Sequence, residues 1–377
     1  MSNFRDKSAN IKIKKDKWDY IQKQRTIPNR QKYISCFAAF NHMRITRLGN
    51  MMPCCFSTVQ QIWNKEKGLH DYWFNNLNTQ YQSDFLDGKM HKGCNICIER
   101  INNKIIPPLV EYDWNVKDRM KDVVNISYPK IFEFEISNLC NMECPMCFGF
   151  LSSKHAMNRD SHIDWGKNIF DDDDNLNHLI EEFKEFIPHL EEIRFVGGEP
   201  LAHKAMYKIA NLVAKIKPEL KLQICTNGSI FNKNVERIIK ENNIQYSFSV
   251  DTIIPEEYQQ IRVGGKYEET YANIDKIANL VGSDKIMINA ILMSVNAENF
   301  IKLFNYSYER EYKIFVNTYD RAGRVTSPDW GLHNVNNNIK KKIINQCYIM
   351  LDKINKIKLY NNYENELHKI IKLLDRS

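Results

Sequence analysis

The chain has 377 residues, of which 43% are hydrophobic and 26% are charged, and its formal net charge is +7. This length readily accommodates a large domain together with a small one. No apolar run approaches eighteen residues, so we expect no membrane span. The N-terminus is rich in lysine and has no apolar stretch, so we expect no signal peptide and a cytoplasmic location.

The positive charge is concentrated in residues 1–32, which hold ten Lys or Arg against three Asp or Glu. The rest of the chain is therefore balanced. We interpret this basic leader as a solvated segment, or alternatively as a handle for an acidic partner such as a flavodoxin-like electron donor, a peptide or RNA. A balanced body disfavours a dedicated nucleic-acid-binding surface.

Four cysteines in the N-terminal part of the chain have the spacing of one closed metal site: Cys36, Cys54, Cys94 and Cys97. The first two follow the pattern C-x12-G-x4-C around a predicted hairpin that turns at Gly49-Asn50, and the last two form a C-x2-C pair. Four thiolates complete a tetrahedral site, so the spacing by itself favours structural zinc. The adjacent Cys55 is an alternative to Cys54 as a ligand.

After a predicted linker at 111–130, strand-like runs alternate with helical runs. The predicted strands lie near residues 131–137, 191–196, 220–225, 244–250, 285–293 and 312–317. The predicted helices lie near residues 175–187, 201–216, 232–242, 267–281, 297–308 and 338–357. This alternation predicts an α/β fold with parallel strands and crossover helices. Six repeats suit a partial (β/α)6 barrel over residues 131–320, followed by a C-terminal helical segment at 321–377.

Three cysteines lie on one short loop directly after the first of these strands: Cys140, Cys144 and Cys147, in the pattern C-x3-C-x2-C. Three ligands are one short of a closed site, and a metal site that performs chemistry keeps one position open. Iron–sulfur clusters also take closely spaced thiolates. The alternative is a zinc knuckle with His155 as the fourth ligand.

The second predicted strand ends in Gly197-Gly198-Glu199-Pro200. Paired glycines allow the backbone to approach a ligand closely. Glu199 places an acceptor at the carboxyl ends of the strands, where parallel sheets bind ligands. Taken alone, the segment is also typical of a turn into a helix that opens with proline.

Together, the two motifs resemble those of the radical S-adenosylmethionine (SAM) superfamily. The resemblance implies a four-iron four-sulfur (4Fe-4S) cluster held by Cys140, Cys144 and Cys147, with SAM bound to the fourth iron. It further implies that an electron from the cluster splits SAM and releases a 5′-deoxyadenosyl radical, which abstracts hydrogen from a substrate. Catalytic residues beyond the cysteine loop are not predicted.

The resemblance also assigns SAM-binding roles to residues at the strand ends: Gly197, Gly198, Glu199, Asn227, Ser249 and Arg262. Ser249 and Arg262 correspond to residues that contact the SAM carboxylate, for which a guanidinium is a natural partner. Asp251 has an alternative role as the cap of the next helix. Asn227 either reaches the ribose or serves its turn. Met146 stands where relatives carry an aromatic residue near the adenine, and its sulfur can pack on a ring.

In this context the N-terminal cysteines resemble the ligands of a twitch or SPASM-type auxiliary-cluster domain, and the segment 61–64 resembles a stretch of the same domain. The resemblance implies a small cysteine-rich β-hairpin domain at 33–110 that holds an auxiliary 4Fe-4S cluster. Four protein ligands favour electron relay or structural support. The remaining Cys225 and Cys347 are predicted to be buried thiols. Thiolate clusters require a reducing compartment.

We therefore expect a radical SAM enzyme whose substrate is a peptide or protein side chain. The alternatives are the same chemistry on a nucleoside, tRNA or small metabolite, and a non-catalytic metal- or cluster-binding protein. The complete set of motifs argues against the last. A flavodoxin- or ferredoxin-like electron donor is the expected protein partner. Substrate contacts are expected from the barrel interior and from the loops 151–175 and 318–335.

Overall fold

The computed structural model describes residues 13–25, 27, 33–116, 127–319, 328–354 and 360–376. Much of the predicted basic leader and of the predicted linker, and part of the loop 318–335, lie outside these residues. The chain divides into two compact units. The first comprises residues 1–135 and 167–194, and the second comprises residues 136–166 and 195–377.

The strands are β1 (His42–Ile45), β2 (Asn50–Met52), β3 (Gln61–Ile62), β4 (Ile131–Glu135), β5 (Glu192–Val196), β6 (Lys221–Thr226), β7 (Asn243–Ser249), β8 (Ile286–Leu292) and β9 (Lys313–Thr318). The helices are α1 (Lys15–Gln24), α2 (Ala38–Asn41), α3 (Leu77–Leu86), α4 (Asn95–Asn102), α5 (Leu109–Val116), α6 (Ser153–Asn158), α7 (Asp173–Phe186), α8 (Lys204–Ile216), α9 (Lys233–Glu241), α10 (Pro255–Ile261), α11 (Tyr267–Val281), α12 (Phe300–Glu309), α13 (Asn337–Ile354) and α14 (Tyr360–Arg376). A five-residue π-helix lies at Asp71–Asn75.

In the first unit the strand order is β3-β2-β1-β4-β5. The predicted hairpin is present, since β1 and β2 pair antiparallel. Its turn spans Thr46–Gly49, where Gly49 adopts φ +80°, and Asn50 already belongs to β2. The hairpin also joins the sheet, because β1 pairs in parallel with β4. The assignment of this segment as an auxiliary-cluster domain stays a prediction.

Alternation along β4 separates an apolar face from a charged one. Phe132 and Phe134 are fully buried, and their rings lie 4.8 and 5.0 Å from the ring of Phe183 on α7. Burying one such side chain contributes about 1.5–3 kcal/mol. On the other face Arg44 forms ion pairs with Glu133 and Glu135. Because the apolar face of β4 is buried against α7, the register of β4 is fixed, and its charged face lies beside Arg44 of β1.

The end of the predicted basic leader is part of the first unit. Ile21 of α1 is fully buried, and the Arg25 guanidinium lies 2.7 Å from the Asp113 carboxylate, with both side chains inaccessible to solvent. The interpretation of residues 1–32 as a solvated leader is therefore wrong for Ile21 and Arg25. A buried ion pair fixes this part of the chain against α5, because breaking it would leave an uncompensated charge.

The second unit contains the end of β5 and the strands β6, β7, β8 and β9, in that order. The strands from β6 to β9 pair in parallel. Every second residue of β8 is buried, which is the pattern of a strand with one face against helices. Each predicted strand and helix is present within three residues of its predicted bounds, and the α/β fold class with parallel strands is confirmed.

The parallel arrangement brings the ends of the second unit's strands to one edge of the sheet. The cysteine loop follows β4, and the turns that begin at Gly197 and Asn227 follow β5 and β6. Among the helices of the described ranges, none combines the length and the apolar character that crossing a membrane requires.

Candidate functional site

The three-cysteine loop lies against an apolar cluster. Cys144 is buried, whereas Cys140 and Cys147 are half-buried. The buried members that share this cluster are Met142, Cys144, Met146, Ile261 and Met293. Cys147 N donates to Cys144 O at 2.8 Å, which tightens the turn between these two thiols. The loop thus presents three sulfur ligands beside side chains that exclude water.

The Gly197-Gly198 turn holds this loop in place. Gly198 adopts φ +54°, and a Cβ atom there would lie only 2.5 Å from Leu139 O. Glu199 N donates to the same carbonyl oxygen at 2.8 Å. The close approach predicted for the paired glycines is therefore an approach to the chain's own cysteine loop, and glycine is required by both φ and space.

Glu199 is fully buried and already engaged by the protein. Its Oε1 accepts from Thr226 Oγ1 at 2.8 Å, and its Oε2 accepts from Asn227 N at 2.7 Å. Burial raises the pKa of Glu199 to about 7, and these hydrogen bonds oppose that shift. Glu199 thus ties the end of β5 to the end of β6. Its role in SAM binding stays a prediction.

Asn227 contacts the cysteine loop and its own turn at the same time. Its Nδ2 donates to Asn141 Oδ1 at 3.0 Å and to Cys140 Sγ at 3.8 Å. Its Oδ1 accepts from Ser229 N at 2.9 Å. An amide donor near a cysteine sulfur is one of the means by which proteins tune iron–sulfur clusters.

Asp251 forms a buried ion pair with Arg262 instead of capping a helix. Its Oδ2 accepts from Arg262 Nε at 2.7 Å, and its Oδ1 accepts from Ile291 N at 2.8 Å. The alternative role as a cap is wrong, since Ile254 precedes α10 and supplies no side-chain cap. Burial alone would lower the pKa of Arg262, but the Asp251 carboxylate raises it. Burial raises the pKa of the neighbouring Cys144 thiol to about 11, and Arg262 opposes this shift.

The remaining predicted SAM ligands lie on the same unit. Ser249 is the last residue of β7, is half-buried and lies opposite Asn289 of β8. Met146 is buried in the apolar cluster of the cysteine loop. Their contacts with a ligand stay predictions.

Sequence reasoning missed Asn296, which connects the ends of β7 and β8. Its Nδ2 donates to Asp251 O and to Ile291 O, each at 2.9 Å, and its Oδ1 accepts from Met293 N at 2.8 Å. No short motif marks an asparagine of this kind, because its partner on the neighbouring strand end, Asp251, lies 45 residues away in sequence. Asn296 holds the end of β8 beside the Asp251–Arg262 pair.

His155 braces the loop and does not complete a zinc knuckle. It is buried, and its Nδ1 lies 3.1 Å from Asp160 Oδ2, which also accepts from Gly149 N at 2.8 Å. Among the described residues, no three His, Cys, Asp or Glu side chains converge on a point where one metal ion would bind. The thiols of a 4Fe-4S cluster bind separate irons and need no such convergence. The donor set therefore fits a cluster with one iron left open.

The four N-terminal cysteines line one largely enclosed apolar cavity in the first unit. Cys36, Cys54, Cys94 and Cys97 share this cavity with Phe56, Phe85, Met90, Leu109 and Tyr112, among others. Burial raises the pKa of Cys36 and Cys97 to about 12. Ala38 N donates to Cys36 Sγ at 3.4 Å.

This cavity separates Cys54 from its neighbour. Cys55 is exposed and is absent from the cavity lining, so the structure places Cys54 with the other three thiols. Soft thiolates around an enclosed apolar space fit an iron–sulfur cluster, and zinc also accepts such ligands. Of the two remaining cysteines, Cys347 is buried as predicted, whereas Cys225 is only half-buried.

Residues 134–306 match the sequence model of the Radical SAM superfamily, a range that includes the cysteine loop, the Gly197-Gly198 turn and the Asp251–Arg262 pair. The chain contains a radical SAM domain. Its ends coincide with β4 at the start and α12 at the end. For this domain, a 4Fe-4S cluster and SAM are the implied cofactors.

About half of the chain is similar to GTP 3′,8-cyclases. The chain is 29% identical over 166 residues to the GTP 3′,8-cyclase of Haemophilus influenzae (strain PittEE), covering 44% of this chain and 46% of that protein. It is 22% identical over 206 residues to the GTP 3′,8-cyclase of Mannheimia succiniciproducens, covering 50% of this chain and 57% of that protein. The chain thus spans about half the length of the curated relatives it matches.

Among solved structures, the chain is similar to Streptococcus suis SuiB bound to the precursor peptide SuiA. That comparison has a TM-score of 0.45 and 17% identity, and it covers 64% of this chain and 52% of SuiB.

Proposed function

We propose that this protein is a radical SAM enzyme that cleaves SAM reductively and abstracts a hydrogen atom from a substrate. The observation that carries this proposal is the three-cysteine loop of the radical SAM domain, held between the Gly198 turn and the buried Asp251–Arg262 pair. A buried ion pair that shifts the pKa of a neighbouring thiol is typical of functional sites, which favours an enzyme over a non-catalytic protein.

In this proposal Cys140, Cys144 and Cys147 hold the 4Fe-4S cluster. When bound, the cluster supplies the electron that splits the sulfonium bond of SAM into methionine and a 5′-deoxyadenosyl radical. Arg262 offsets the negative charge of the Cys144 thiolate, and Asn227 orients Cys140 through its amide. The methionines of the loop keep water away from the site. The proposed SAM contacts are Gly197, Gly198, Glu199, Asn227, Ser249, Arg262 and Met146.

The substrate class that we propose is a nucleoside, a nucleotide or a related small metabolite. The curated relatives that the chain matches are GTP 3′,8-cyclases, which supports this alternative over the peptide or protein side chain expected from the sequence. Because the similarity covers about half of those proteins, the identity of the nucleotide is not carried over. Tryptic mapping of a candidate peptide for a loss of two hydrogens tests the peptide expectation directly.

We further propose that the enclosed N-terminal cavity holds an auxiliary 4Fe-4S cluster on Cys36, Cys54, Cys94 and Cys97. Four protein ligands leave no open iron, so this cluster would relay electrons or support the fold. Zinc is the alternative, which metal analysis distinguishes. A one-electron donor of the flavodoxin or ferredoxin type and a reducing compartment, the cytoplasm, complete the proposal.

The test is anaerobic reconstitution with iron and sulfide, followed by addition of dithionite and SAM and assay of 5′-deoxyadenosine. Wild-type protein should release 5′-deoxyadenosine, and Cys144→Ala should release none. Cys347→Ala is the matched control, because it removes a buried thiol of α13 that lies outside both sites. A wild-type protein with an intact cluster that releases no 5′-deoxyadenosine contradicts the proposal.

A further inference from the structure

Two aromatic side chains pack against the apolar cluster of the cysteine loop. Tyr319 and Trp330 are both half-buried, and their ring centroids lie 6.5 Å apart with an interplanar angle of 50°. The cluster that they contact includes Cys144, Met146 and Met293. Each ring therefore covers part of the loop and leaves part of its own surface uncovered.

Hydrogen bonds hold the Tyr319 side chain and the main chain of Trp330. Trp330 O accepts from Ser294 N at 2.9 Å, and Tyr319 Oη donates to Pro328 O at 2.6 Å. Ser294 follows Met293, whose backbone N–H donates to Asn296 Oδ1. Asn296 in turn donates to Asp251 O. The main chain of Trp330 is thus connected through the end of β8 to the Asp251–Arg262 pair, which fixes the point from which its ring extends.

The chemistry of this surface suits a flat, uncharged ring. It combines two aromatic rings with thioether and aliphatic side chains, namely Met146, Met293 and Ile291. Aromatic side chains stack on nucleobases without regard to base identity, because every base has a π-face. Met146 itself supplies no ring on the cysteine loop, so the rings at this surface come from the segment after β9.

We propose that Tyr319 and Trp330 form one wall of a nucleobase-binding pocket beside the cysteine loop. The base is either the adenine of SAM or the base of a nucleotide substrate, since both present the same flat surface. This inference rests on the proposed function. In it Trp330 is a binding residue, and Tyr319 positions the segment that carries it.

The experiment compares wild type, Trp330→Ala, Trp330→Phe and Tyr348→Ala as anaerobically reconstituted full-length proteins. Tyr348 is an aromatic residue of α13 that is 55% exposed, and it serves as the control for aromatic-to-alanine exchange. Isothermal titration calorimetry measures the Kd for SAM and, separately, the Kd for GTP as the nucleotide probe. Far-UV circular dichroism and the iron content per chain establish that each variant is folded and loaded.

Because Trp330→Ala removes one stacking partner, the Kd of the affected ligand should rise by about 5- to 150-fold. Trp330→Phe should recover much of this loss, because phenylalanine keeps an aromatic face, and Tyr348→Ala should match wild type. Weaker binding of SAM alone assigns the wall to adenine, and weaker binding of GTP alone assigns it to the substrate base. Unchanged Kd values for SAM and GTP in a folded Trp330→Ala protein overturn the inference. If GTP does not bind wild type, the SAM titration alone decides.

The proposed function fails in a different way. In that case wild type itself binds no SAM and releases no 5′-deoxyadenosine, whatever residue stands at position 330. If wild type cleaves SAM but Trp330→Ala binds it equally well and GTP binding is also unaffected, only the inference about the aromatic wall is lost.

Discussion

Exchange of Gly198 for alanine should disrupt the cysteine loop more than any ordinary loop substitution. The new Cβ would lie 2.5 Å from Leu139 O and 2.9 Å from Ser137 O. Because real Cβ atoms essentially never approach other atoms closer than 3.0 Å, the backbone must move by about half an ångström. Glu199 N, which donates to Leu139 O, opposes this movement. The displaced segment leads directly into Cys140.

The expected loss of stability has two contributions. Placing alanine at φ +54° costs about 1–2 kcal/mol, since only glycine adopts the left-handed region freely. Forcing extra volume into a packed site costs about 1–3 kcal/mol. The free energy of unfolding of the apo protein should therefore fall by about 2–5 kcal/mol, measured by urea denaturation. After reconstitution, iron content and 5′-deoxyadenosine release should fall as well.

The matched control is Gly282→Ala. Gly282 follows α11 with φ +95°, and the nearest atom to its new Cβ is the flexible carboxylate oxygen of Asp284, at 2.8 Å. This variant incurs the conformational cost without a backbone clash, so it should be destabilised yet keep its iron. If both variants lose the same stability and both keep full iron content, the reasoning about the Gly198 contact is refuted.

Three further predictions follow from buried groups. Asp251→Asn leaves the Arg262 guanidinium without its carboxylate and should lower the free energy of unfolding by about 3–5 kcal/mol in urea, whereas Glu269→Gln at the exposed pair with Lys266 should change it little. Burial raises the pKa of folded Glu199 to about 7, so the protonated side chain stabilises the fold fully at pH values below the usual pKa of a glutamate. As the pH rises toward 7, the free energy of unfolding should fall by about 3 kcal/mol. Glu199→Gln should remove this part of the pH dependence, and equal pH profiles of the two proteins would contradict the prediction. Cys54→Ser should lower the metal content per chain while Cys55→Ser keeps it, and the opposite result would reverse the ligand assignment.

The repeats of the fold could be predicted because each signal is local. The apolar alternation in β8 and the helical periodicity of 267–281 each indicate which residues are buried within a few positions of the sequence. The predicted bounds of both elements lie within one residue of the observed ones. The pairing of β1 with β4 could not be predicted in this way, because a four-residue strand carries no mark of a partner that lies nearly ninety residues away.

The site residues likewise differ in whether a local sequence signal marks them. Cys140, Cys144, Cys147 and the Gly197-Gly198 turn are visible as contiguous motifs, and the structure brings them together. The ion pair of Asp251 could not be predicted, because its partners, Arg262 and Ile291, lie on other elements. A carboxylate after a strand is equally typical of a cap and of an ion pair, and only the tertiary contacts distinguish them.

The two cysteine sites differ in what they leave accessible, and this difference bears on their proposed roles. The thiols of the first unit line an enclosed space with aromatic and aliphatic walls, so a cluster there would be reached by electrons but not by a substrate. In the second unit Cys140 and Cys147 are half-buried, and half-buried aromatic rings pack against the apolar cluster that contains Cys144. In the part of the chain that the structure describes, this site thus combines the proposed open metal position with a partly accessible surface. We therefore expect SAM to bind in the second unit, and we expect a cluster in the first unit, if present, to supply electrons or support the fold.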